Sequence, residues 1–306
     1  IRLAGNYGFE SIERAIRDMQ PLLELDEPRE LEIDLGGLVF MGPTSLALLE
    51  AALKRVEGRG LAAGGYITHP RSQMTKNYLQ RMDLFSGLAD LVAEIPVEDF
   101  TRREPVGFRP CQQFGSPDDY WRVASELSEA LRERCNVDDT AFAAIRICLD
   151  ELAENVVHHA DSTIGGFAAA QGNPRRNRFE VGIVDLGIGF RASLAKNPDI
   201  PASETDHDAI ETALRPFVTS TPDRNAGIGL FVTRRLLKAN GGVLLVRSGL
   251  GRMVAGERDG VESAEVSMPG AVVALRARTD RPLDIGAVYE EVEHERDNGR
   301  DNDQPG

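Results

Sequence analysis

Two residues one helical turn apart, Glu151 and Asn155, are the first whose types and spacing suit chemistry. Residues four apart share a helix face, so the spacing sets a carboxylate beside a carboxamide. Apolar residues recur at helical spacing through Phe142, Ile145, Leu149, Leu152 and Val156, which predicts a helix from Asp139 to about His159 with one face in a core. Cys148, Glu151, Asn155 and His158 form a second stripe beside that face. An amide oxygen there can ligate Mg²⁺, which keeps several waters and shares its shell with phosphate oxygens. The carboxylate can take a proton from an attacking hydroxyl or water. A solvated helix face carries such pairs too, so the meaning of this one depends on what converges with it.

Two glycine-bearing segments are candidates to converge. Asp185-Leu186-Gly187-Ile188-Gly189 follows the strand pattern Phe179 to Val184. Glycines there permit positive φ and close approach of a ligand to backbone, and a carboxylate at a strand end can accept from an exocyclic amine such as that of adenine. Asn225-Ala226-Gly227-Ile228-Gly229-Leu230 opens the next helical pattern. Free N–H groups and the helix dipole favour phosphate at such a start. A dinucleotide-binding glycine fingerprint is excluded, because Gly227 follows a polar loop and Phe231-Val232 stand in the later positions. Residues 190 to 226 between the segments are polar, with a short helix near Ala209 to Leu214. Within them, Arg215, Arg224 and Thr219-Ser220-Thr221 could touch a phosphate or stay in solvent. His158 and His159, being consecutive, do not share a face and are read as packing residues, with His158 the nearer to the pocket; the lone Trp121 is read as core.

The order Glu-x-x-x-Asn on a helix, Asp-x-Gly-x-Gly after a strand, a long variable loop and Gly-x-Gly-Leu on a helix resembles the GHKL ATPases, the superfamily of gyrase, the heat-shock chaperone ATPase, histidine kinases and mismatch-repair ATPases. The resemblance covers about residues 108 to 278, and compact chains of this pattern are similar to the anti-sigma-factor serine kinases of bacteria. It implies ATP and Mg²⁺ as cofactors, Glu151 as general base and Asn155 as Mg²⁺ ligand. Asp185 would hold adenine, Gly187 and Gly189 would shape its pocket, and Gly227, Ile228, Gly229 and Leu230 would meet the phosphates under a lid of residues 190 to 226. One departure stands out: Gly270 is followed by Ala271, where family members often carry a threonine supporting adenine.

The elements ahead of this unit alternate in type. Phe9 to Leu25 is helical, Leu31 to Leu35 alternates as a strand, and Leu38 to Met41 reads as another. Thr44 to Val56 is helical, Ala63 to Thr68 is a strand and Asn77 to Leu88 a helix. Such interleaving predicts an α/β domain. Ile33-Asp34-Leu35 through Leu38-Val39-Phe40-Met41 into the following helix resembles a STAS domain, the anti-sigma-factor-antagonist fold. By that resemblance Thr44 falls at the position of the phosphoacceptor; from its own place at the helix start it is read as a helix cap. The predicted organisation is therefore an α/β STAS-like domain over 1–92, a linker over 93–107, a GHKL-type α/β sandwich with a mixed sheet over 108–279, and a disordered acidic tail over 280–306.

Bulk composition bounds the function. The chain has 306 residues, 42% hydrophobic and 27% charged, with a net charge of -14. So acidic a chain gains little from counterion release, which argues against nucleic acid as partner. Its three cysteines, Cys111, Cys135 and Cys148, match no metal spacing, and no stretch reads as a membrane span or signal peptide; the expected compartment is the cytoplasm. Together these readings imply an ATP-binding regulatory protein with a STAS-type or sigma-factor-like protein partner, and leave a homodimer open. Two activities fit: a Ser/Thr protein kinase of the anti-sigma-factor type, or a nucleotide sensor or slow ATPase without kinase activity. A histidine-kinase output domain fits less well, for want of an upstream phosphoacceptor hairpin before Ser116, and a scaffold with a vestigial pocket is the remaining reading.

Overall fold

The computed structural model describes residues 1–84, 108–135, 137–222, 226–256 and 260–302; the predicted linker 93–107 and Arg224 lie outside them. The chain is α/β throughout. Its first unit holds β1 (Gly5–Tyr7), α1 (Ile12–Leu23), β2 (Arg29–Asp34), β3 (Leu38–Met41), α2 (Pro43–Gly58), β4 (Ala62–Thr68) and α3 (Gln73–Arg81). β1 pairs with β3 and β2 with β4, both parallel, and a parallel bridge from Arg2 to Asp34 joins the two pairs. Parallel strands need a crossover, which α1 and α2 supply.

The second unit is an antiparallel sheet under helices. β5 (Phe108–Phe114), β6 (Gly166–Asn173), β7 (Arg178–Asp185), β8 (Val243–Ala255) and β9 (Gly260–Arg278) pair in the order β5-β6-β7-β9-β8. Every described pair is antiparallel, where the sequence predicts a mixed sheet. Short returns at Pro174–Asn177 and between β8 and β9 impose that sense on two of the pairs. β5 and β6 are not legible as strands, since Gly-Phe-Ala-Ala-Ala-Gln-Gly-Asn has little β propensity. Its small residues are a packing requirement: a β-carbon on Gly166 would lie 2.6 Å from the Phe114 ring and 2.7 Å from Val156.

Side chains alternate between the two faces of this sheet. Ala168, Ala170, Val181, Ile183, Val246 and Leu275 join the core formed with α4 (Pro117–Arg134), α5 (Asp139–His159) and α8 (Gly229–Asn240). Phe167, Ala169, Val184, Leu245, Val272 and Ala274 join the core of the first unit. The back of the sheet is thus covered by α1 and α2, and the two units share one core. α2 is buried on nearly all sides, from Pro43 through Val56 with Glu50 among the few half-open positions, because it lies between α1 and the back of the second unit's sheet. Fully buried Arg247 of β8 fastens the seam by gripping both carboxylate oxygens of Glu13 on α1, at 3.0 and 3.1 Å.

Two further readings are corrected. The tail is not disordered through its described part: Ile285–Asn302 forms α9, and Leu283, Val288 and Val292 are buried with the core beneath α8. Its charge masks an apolar stripe, Ile285, Val288, Tyr289 and Val292, at helical spacing. Trp121 is 62% exposed rather than core, because the buried face of α4 runs through Val123, Ala124, Leu127 and Leu131. The Arg146 guanidinium covers its ring at 4.9 Å instead.

Candidate functional site

α5 presents Glu151, Asn155 and His159 to a cavity between that helix and the front of the sheet. Asp138 starts the helix by accepting from the Ala141 amide at 2.7 Å, which sets the rotation of everything after it. The pocket-facing histidine is therefore His159, four residues beyond Asn155. His158 turns away toward Glu154, 3.6 Å from its carboxylate.

Asp185 ends β7 and is almost fully buried. Its Oδ1 accepts from the Gly187 amide at 2.9 Å, yet burial still pushes its pKa up to about 6. Gly187 has no room for a side chain, since a β-carbon would lie 1.9 Å from the Ala160 carbonyl oxygen. It shapes the turn without lining the cavity, whereas Gly189, at φ +73°, lines it. Across the sheet, Ser248 is paired with Ala271. Its hydroxyl donates to the Gly270 carbonyl at 2.7 Å and accepts from the Phe190 amide at 3.2 Å. A hydroxyl thus stands on the strand beside the residue where the sequence lacks one. Its bonds hold the glycine turn to β9, and only the pairing of β8 with β9 reveals it.

Gly227, Ile228, Gly229 and Leu230 complete the cavity wall. Gly227 adopts φ +66°, and a β-carbon there would strike the Val218 backbone. Gly229 begins α8, and Ile228 at its N-cap has no polar side chain with which to cap that start; the first amides of a helix suit an anion. Glu151 packs directly against Gly229, where a β-carbon would meet its Oε2. Burial first, then the neighbouring Glu154 and Asp150 charges, raise the Glu151 pKa above the ordinary carboxylate range, which favours a proton-accepting role.

α6 (Gly189–Leu194), α7 (Asp206–Ala213) and the strand-less segment after it roof the cavity. Ser220 lies 2.8 Å from His159 Nδ1 and 3.3 Å from the Ser193 hydroxyl. Asn197 donates to the Thr219 carbonyl at 2.9 Å. Burial lowers the His159 pKa to about 4, so the ring is neutral at pH 7 and shares one hydrogen bond with the Ser220 hydroxyl through Nδ1. With this roof down the cavity measures about 100 Å³, below the roughly 300 Å³ at which small-molecule sites begin. Of the described roof residues that could touch a phosphate, Thr219 and Ser220 line the cavity; Arg215 and Thr221 do not.

Thr44 lies on the opposite side of the sheet. It is the second residue of α2 and 4% exposed, pressed against β7 at Gly182. No side-chain cap forms at that helix start, so the capping alternative does not hold either. Cys148 is buried and free, as its place in the helix predicts, and burial pushes its thiol up to about 12. No protein-family model and no curated protein matches this chain. No helix among the described residues is long and apolar enough to cross a membrane.

Proposed function

We propose that the cavity binds ATP with Mg²⁺ and that the chain is a nucleotide-dependent regulator of a protein partner. The observation that carries this reading is convergence. Glu151 and Asn155 on α5, Asp185 on β7 and the uncapped start of α8 are far apart in sequence, yet all line one cavity. Together they offer a buried carboxylate for an amine, a carboxamide for a divalent cation and helix-start amides for phosphate. Asn155 would ligate Mg²⁺, which would supply charge stabilisation at the phosphates. Glu151 would orient and deprotonate an attacking hydroxyl, and phosphoryl transfer asks for little beyond positioning and charge. On the GHKL and STAS resemblances, the activity would be Ser/Thr kinase of the anti-sigma-factor type toward a STAS-type or sigma-factor-like partner.

Calorimetry with ATP and Mg²⁺ tests binding, and absence of saturable heat in the millimolar range refutes it. Transfer of labelled γ-phosphate to candidate partners tests the activity. Glu151→Ala is expected to lower transfer by at least about a hundredfold while ATP still binds; unchanged transfer would remove Glu151 from the mechanism.

A second reading, a nucleotide sensor without kinase activity, is favoured by the roofed cavity and by the burial of Thr44. In it, ATP lifts the roof and remodels the surface around residues 190–222. Tight ATP binding without transfer or turnover would select it.

A further inference from the structure

The β6–β7 return carries Arg175, Arg176 and Arg178 within four residues, a local concentration of positive charge in a chain of net charge -14. Two of the three, Arg176 and Arg178, line a cavity of about 480 Å³ at the seam between the units, remote from the Glu151 pocket. The first unit contributes Asn6, Phe9, Glu10 and Phe40, and β9 contributes Arg276.

The charges in this seam do not cancel. Arg276 is engaged by Glu180 at 2.7 Å and by Glu10 at 2.5 Å, and its guanidinium also covers the Phe9 ring at 4.3 Å. Those two carboxylates are the acidic groups on the cavity wall. Arg178 sits close enough to help hold the Glu10 pKa low, but neither it nor Arg176 makes a side-chain hydrogen bond or ion pair among the described residues. Gln171, whose Oε1 accepts from Tyr78 at 3.3 Å, keeps its NH₂ group as a further donor, and Asn173 adds a second amide to the wall.

We infer that this seam is a second ligand site, which takes a small phosphate-bearing anion between Arg176 and Arg178 and the donors of Gln171 and Asn173. Guanidinium groups bind phosphate through paired N–H donors. The volume falls within the usual range of small-molecule sites, about 300–1,000 Å³. Because one wall belongs to the first unit and the other to the sheet, an occupant would hold the two together. The site is independent of the ATP reading, and either can fail without the other.

Pyrophosphate titrated calorimetrically into the full chain, without divalent cation, is the test. One saturable site is expected, weakened about tenfold or more by Arg176→Ala or by Arg178→Ala, and strongly dependent on salt. Arg175→Ala removes the same charge from outside the cavity and is expected to leave binding unchanged. Arg176 is exposed on the return, so its loss spares the core, and an unchanged melting temperature verifies this. Arg178→Lys keeps the charge but loses the paired donors, and is expected to weaken binding too. Absence of a saturable site overturns the inference. So does equal weakening by Arg175→Ala, which would report net charge alone.

Discussion

A β-carbon on Gly182 would lie 2.3 Å from the Cα of Thr44. The first turn of α2 is therefore seated on bare backbone of β7, and the side chain that the STAS resemblance would make a phosphoacceptor is closed off by the back of its own chain's sheet. The proposed nucleotide cavity opens on the other face. Thr44 could meet a phosphoryl donor only after α2 leaves the sheet.

Gly182→Val is expected to drive α2 off β7, since a clash with backbone cannot be relieved by a rotamer change. Overpacking of this kind costs about 1–3 kcal/mol or more. Amide hydrogen exchange in α2 should speed up strongly, while nucleotide binding on the opposite face persists. Unchanged exchange in α2 would show that the contact does not hold the units together.

Asp185 and His159 oppose each other in their pH dependence. The Asp185 pKa is raised from 3.8 to about 6, so between these values the folded chain keeps a proton that the unfolded chain has released. Its contribution to stability falls as pH rises through that window. The His159 pKa is lowered from 6.5 to about 4, so the unfolded chain holds the extra proton and stability rises with pH across that range. Relative to the unmodified protein, Asp185→Asn should gain stability as pH rises from about 4 to 6, and His159→Gln should lose it. Each difference approaches about 1.4 kcal/mol per pH unit at its steepest. Denaturant midpoints measured across pH decide this; parallel curves would mean that neither shift is present.

Ser220→Ala removes the hydroxyl that holds the roof to His159. A neutral hydrogen bond contributes about 1 kcal/mol, so ATP should associate about fivefold faster or more tightly if the roof must lift. Weaker binding in this variant would instead make Ser220 a ligand contact.

Val288→Asp on α9 would place a charge in the core beneath α8. An unpaired buried charge costs several kcal/mol or is relieved by undocking, so proteolysis should release the segment after Asp280. Resistance equal to that of the unmodified chain would contradict the docking.

How much of this was legible depends on the residue. Glu151 and Asn155 could be placed on one face because a helix has a fixed period, and Gly227 and Gly229 because φ and space single out glycine. The pocket-facing histidine was not, since a one-residue step around a helix cannot be chosen without the opposing surface. β6 was hidden by its alanines, and α9 by its charges.

The sequence by itself determined the local elements and the chemical groups that could meet: period, caps and glycine positions are properties of short stretches. The run Val181-Gly182-Ile183-Val184, which has no polar side chain, already required cover on both faces of its strand. Which surfaces provide that cover was settled only in three dimensions. The pairing of β7 with β6 and β9 set Gly182 on the back and Asp185 on the front, and α2, buried around nearly its whole circumference, packs with α1 against that back.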